Sequence, residues 1–101
     1  MRLLQILLPV FDNNGVPFPA VLLRDIHKEL CDRFSGLTVY DRTPAEGVWI
    51  EGGKHERDKI VVLEVMGEDF DRAWWQDFRK RTEKLLRQDE LVVRSQEIER
   101  L

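Results

Sequence analysis

Lys59-Ile60-Val61-Val62-Leu63-Glu64-Val65-Met66 is the stretch whose reading decides the fold. Its length fits a strand better than a helix, and it is apolar at both parities, broken only by Glu64. Alternate side chains of a strand point to opposite faces of its sheet, so this strand has to be covered on both sides. Arg2–Val10 reads the same way, with Gln5 as its one polar interruption. Both strands therefore belong at the centre of a sheet rather than at its edge.

The remaining elements fall around these two. Phe11–Pro17, with Asn14-Gly15 and Pro17, is loop punctuation, and Pro19 suits a first helical turn. The helix that follows runs to about Phe34, with Leu23, Ile26, His27, Leu30 and Phe34 on one arc, and Gly36 is read as its stop. Leu37–Arg42 alternates as a half-exposed strand, Thr43–Gly47 interrupts it, and Val48–Glu51 resumes it. Residues 37–66 then form a long irregular hairpin. A second helix is expected from Asp69, as cap, to Gln88, with Phe70, Trp74, Phe78, Thr82 and Leu85 inward, and a last strand over Glu90–Ile98. The order βαββαβ is that of an α+β, ferredoxin-like domain: a four-stranded antiparallel sheet with two helices on one face, in which the first and third strands are central. At 101 residues the chain has room for one such domain.

Two helices cover one face of such a sheet. Leu4, Ile6, Leu8, Leu37, Val39, Val61, Leu63, Val65, Leu91 and Val93 are expected beneath them. The other parity defines an open face that carries Leu3, Leu7, Ile60, Val62, Met66 and Val92. At about 1.5 kcal/mol or more per covered aliphatic side chain, this face calls for a cover. Within it sit Gln5, Thr38, Tyr40, Arg42, Glu64 and Arg94. A carboxylate flanked by Val62 and Met66 on a central strand needs a partner, because burying an isolated charge costs several kcal/mol. Arg94, Tyr40 or a second subunit could supply it. Otherwise Glu64 is a general base or a ligand anchor.

The hairpin gathers a second set of candidates: Arg42, Glu46, Trp49, Glu51, His55, Glu56, Arg57 and Lys59. His55, placed on a loop, could serve as acid or base near neutral pH. His27 and Cys31 stand one helical turn apart, but two ligands do not make a zinc site, so core packing is the reading and no metal is expected. Trp74 is expected on the buried arc and Trp75 at its rim.

The bulk numbers bound the partners. With 35% charged residues and a formal charge of −3, no basic field exists to hold a phosphate backbone, so nucleic acid is not expected. Arg79, Lys80, Arg81, Lys84 and Arg87 are interleaved with acids on the second helix. One cysteine makes no intrachain disulfide, and no stretch approaches the roughly 18 apolar residues of a membrane span. The expected location is the cytoplasm, with no membrane contact. No cofactor motif is legible and none is expected. Known activities of this fold also leave marks that are missing here: aromatic residues on strands one and three for RNA stacking, an arginine in the first loop for acyl phosphates, a cysteine pair there for copper, and a proline after Met1 for tautomerisation.

Gly36-Leu37-Thr38-Val39, Trp49, Gly52-Gly53, and Glu56 with Lys59 ahead of Ile60-Val61-Val62-Leu63 resemble a family of small uncharacterised bacterial proteins with a ferredoxin-like domain, some of them lipoproteins. The resemblance covers most of the chain in layout, and departs in the missing export signal and a longer Thr43–Gly47 linker. It implies the fold and marks Thr38, Trp49, Glu56 and Lys59 as residues of interest. The functional expectation is a homodimer that packs through its sheet and acts as a binding or assembly module. The alternative is a cofactor-free isomerase or oxygenase-like enzyme of the dimeric α+β barrel type. It would act on an apolar or aromatic small molecule, with Glu64, Tyr40 and His55 as acid/base groups.

Overall fold

A computed structural model of the chain describes the backbone of residues 1–51 and 54–101, and the side chains of residues 1–40 and 59–101. Its elements are β1 (Arg2–Pro9), α1 (Ala20–Phe34), β2 (Thr38–Glu51), β3 (Lys54–Gly67), α2 (Arg72–Leu86) and β4 (Val92–Glu97). The four strands form one antiparallel sheet in the order β2-β3-β1-β4, so the two strands that are apolar on both faces are the central ones. This is the ferredoxin-like arrangement.

The helices cover one face. Leu4, Ile6 and Leu8 of β1 and Val61, Leu63 and Val65 of β3 pack with Ile26 and Leu30 of α1 and with Trp75, Phe78 and Leu86 of α2, and Leu91 closes the cluster. These residues are between 0% and 8% exposed. The parity argument thus holds strand by strand.

Helix ends and faces depart from expectation in instructive ways. The N-cap of α2 is Asp71, not Asp69; its Oδ1 accepts from the Trp74 N–H at 3.1 Å. From that start the stripe facing the sheet is Trp75, Phe78, Thr82 and Leu86, while Leu85 is 49% exposed and Trp74 is half-buried at the edge. The two tryptophans have exchanged their expected roles: the arc keeps Phe78 and Thr82 inward and takes Trp75 and Leu86 in place of Trp74 and Leu85. Phe34 stacks on Trp75 and meets Trp74 edge to face, fixing the end of α1 against the start of α2. α1 ends at Phe34 as expected, but its cap falls one residue before Gly36: Ser35 takes the left-handed conformation, φ 57°, and its N–H donates to the Cys31 carbonyl. Cys31 is exposed rather than in the core, and His27 is half-buried.

The β2–β3 hairpin is more regular than its sequence implies. The Thr43–Gly47 interruption becomes a bulge inside β2, where the register passes from Tyr40 opposite Val62 to Ala45 opposite Ile60. Pro44 lacks the N–H for a ladder hydrogen bond, and a bulge is where a strand tolerates this. His55, expected on a loop, lies in β3 opposite Ile50. Since β1 pairs with β3 only from Ile60 to Gly67, the hairpin residues from Glu46 to Glu51 and from Lys54 to Lys59 run past the end of β1.

Candidate functional site: a polar row across the open sheet face

The open face is built in rows, because residues opposite each other in an antiparallel ladder project to the same side. Register places Thr38, Glu64, Gln5 and Arg94 side by side across all four strands. The next row is Tyr40, Val62, Leu7 and Val92, and on the other flank lie Met66, Leu3 and Gln96. A polar row therefore runs between two rows that are largely apolar.

Within the polar row the side chains form a connected chain. The Gln5 amide Nε2 donates to Glu64 Oε1 at 2.6 Å, and the Tyr40 hydroxyl, reaching diagonally from the next row, donates to Glu64 Oε2 at 3.1 Å. On the other side Arg94 Nε donates to Gln5 Oε1 at 2.8 Å. Gln5 stands between acid and base in the one amide orientation that satisfies both, since its NH₂ has only donors and its carbonyl only acceptor sites. Glu64 is half-buried, and both its oxygens accept. Among the described residues no buried side-chain nitrogen or oxygen lacks a partner. The carboxylate also acts back on its donor. The hydrogen bond to Glu64, and then its negative charge, hold the Tyr40 phenol above its ordinary value of 10.0.

The sequence named all four members of this chain but not their connection. Glu64 meets Tyr40 directly, as one of the expected partners, whereas Arg94 reaches it only through Gln5. Thr38 stands next to Glu64 in register and is exposed. Lys59 is not part of the site: its parity is that of Val61 and Leu63, and its Nζ lies 5.9 Å from the centroid of the Phe11 ring. Arg42, Trp49, His55 and Glu56 have side chains outside the described residues, although backbone register sets Trp49 opposite Glu56.

The flanking rows are incompletely covered. Leu3, Leu7, Ile60 and Val62 are half-buried, while Tyr40 is 51%, Met66 48% and Val92 41% exposed. On the opposite side of the molecule, the groove lined by Asp25, Lys28, Glu29, Asp32, Arg33 and Trp74 is a field of paired charges. Lys28 meets Asp32 at 2.6 Å, Arg81 meets Glu29 at 3.2 Å, and Arg33 lies 3.8 Å from Asp71 and over the Trp74 ring. Surface pairs of this kind contribute little and leave no unmet demand. Among the described residues, no group of three His, Cys, Asp or Glu side chains stands close enough to hold a metal, and no helix is long and apolar enough to cross a membrane.

No protein-family model matches the chain, and no curated protein is similar to it in sequence.

Proposed function

We propose that the chain is a homodimeric binding or assembly module of the cytoplasm, whose open sheet face is covered by a second copy. The observation that carries this reading is the open face itself. Aliphatic side chains on both flanks stand half-covered, around a polar row whose central hydrogen-bonding groups are already satisfied within the chain. A carboxylate and a guanidinium linked through an amide carry no net charge, so a partner can close over them without stranding an ion. The flanking aliphatics supply the gain on closure. With both oxygens of Glu64 engaged, the carboxylate is held as a structural acceptor and not as a free base, which favours the module over the enzyme reading.

Light scattering on the wild type beside Val62→Asp tests the proposal. The wild type is expected at twice the monomer mass and the variant at the monomer mass, because a new carboxylate in the middle of the covered face has no partner. If both run as equally stable monomers, the interface is lost as an explanation.

A further inference from the structure

We infer that Glu83 is a strap that holds the edge strand β4 shut, and that Leu91 and β4 open from the sheet as one unit when the strap is released.

β4 is weakly held along its own length. It lies at an edge of the sheet and pairs only with β1. Of its six residues Val93 alone is half-buried, and the others are exposed. Among the described residues its side-chain bonds all end on β1: Arg94 on Gln5 at 2.8 Å, and Ser95 and Glu97 on Arg2 at 3.4 and 4.0 Å. Segments with little buried apolar surface and a solvent-exposed ladder are the ones that open locally. The anchor lies one residue before the strand, where Leu91 is 2% exposed and belongs to the core cluster.

That anchor carries a buried N–H past the end of the ladder. The pairing of β1 with β4 stops at Leu7 opposite Val92. The Leu91 N–H donates instead to Glu83 Oε2 at 2.9 Å, and the same oxygen accepts from Arg79 Nη1 at 3.1 Å. The Glu83 side chain is 14% exposed. Its main chain takes part too, because the Glu83 carbonyl accepts from the Gln88 N–H at 2.9 Å. One residue of α2 therefore holds both ends of the reversal from helix to strand. Inside that reversal Arg87 takes the left-handed conformation, φ 53°, which a residue with a Cβ adopts at a cost. Asn13 clasps it from the β1–α1 loop: its Nδ2 donates to the Arg87 carbonyl at 3.2 Å and its Oδ1 accepts from Gln88 Nε2 at 3.3 Å.

Without the Glu83 carboxylate, the place of Leu91 in the core conflicts with the need of its N–H for an acceptor. Opening resolves the conflict, and β4 follows because only Val93 ties it to the core. The consequence crosses the sheet. Arg94 leaves with β4, so Gln5 loses one of the two partners that fix its amide, and β1 becomes the edge. Glu83 is thus a positioning residue on the helix side that decides whether the polar row on the other side is complete.

Hydrogen exchange of backbone amides in dilute protein tests this. In the wild type, Leu91 and the amides of the β4–β1 ladder are expected to share one rate and one weak dependence on urea, and to exchange faster than the β1–β3 ladder. Glu83→Ala should speed that set about tenfold or more and leave the β1–β3 ladder unchanged. Glu83→Gln, which keeps an acceptor oxygen, should restore most of the protection. If Leu91 exchanges with the slow β1–β3 amides instead of with β4, the single opening unit is overturned. The strap is overturned if Glu83→Ala speeds both ladders equally or neither, or if Glu83→Gln exchanges as fast as Glu83→Ala. A Glu83→Ala chain that does not fold overturns it as well, since a strap on an edge strand leaves the rest of the sheet standing.

Discussion

The two sides of β3 are offset by a single residue and differ in nearly everything that surrounds them. Val61, Leu63 and Val65 are 8%, 0% and 2% exposed, whereas Val62 and Glu64 are half-buried and Met66 is 48% exposed. Valine appears on both sides, so residue type does not account for the contrast. What lies above does: α1 and α2 bring Ile26, Leu30, Trp75 and Phe78 onto one face, and among the described residues no helix performs that service for the other. The same hydrophobic strand is thus a finished core on one side and a half-covered surface on the other.

Truncating matched residues on the two sides is the most severe way to try to break this contrast. Leu63→Ala removes a fully covered side chain and leaves a cavity under α1 and α2, so unfolding in urea is expected to show a loss of about 2–5 kcal/mol. Val62→Ala, on the open side, is expected to cost under about 1 kcal/mol when measured in dilute monomer. Its larger effect falls on association: the wild-type unfolding midpoint should rise with protein concentration, and this rise should weaken in the variant. Equal losses for the two variants at low concentration would mean that the open face belongs to the chain's own core, and the contrast would be gone.

The contrast was legible in the sequence because β-strand parity is a period-2 signal that packing obeys closely. Counting alternate residues from Leu4 and Val61 separates the buried set from the open set without reference to any helix. The same counting lines up Thr38, Glu64, Gln5 and Arg94 once the strands are paired. Helical stripes are less forgiving. On α2, Trp74, Trp75, Leu85 and Leu86 are adjacent apolar pairs, and either member of each pair completes a plausible arc. The decision lies in the cap, and Asp69 and Asp71 are equally good cap residues by type. Both tryptophans meet Phe34 and Phe78, and it is Trp75 that shares the buried stripe with Phe78, Thr82 and Leu86. The Gln5 bridge was hidden for a different reason. A glutamine between an acid and a base is silent in composition, and its role depends on a side-chain rotation that no spacing encodes. The interruption at Thr43–Gly47 looked like a break because Pro44 and Gly47 are turn residues, yet a long antiparallel partner can absorb them as a bulge.

The smallest expected effect reports on the open face most directly. Tyr40 donates to Glu64 only while its phenol is protonated, so the folded chain holds that proton above the ordinary value of 10.0. The direction for stability follows from this. Because the folded-state value is the higher one, the stabilising contribution is complete below about pH 10, where unfolded tyrosine titrates, and is lost as the pH rises through the folded value. Phenolate absorbance reads this single tyrosine without interference from another. The wild type should titrate at higher pH than Glu64→Gln, which keeps the shape of the row but removes the negative charge. If both titrate together, the hydrogen bond is not held in solution and the polar row is not a unit. If the wild type titrates higher still as protein concentration increases, the phenol is losing water to a cover, since burial also disfavours the charged form. An exposed tyrosine would then distinguish a bare sheet from a covered one.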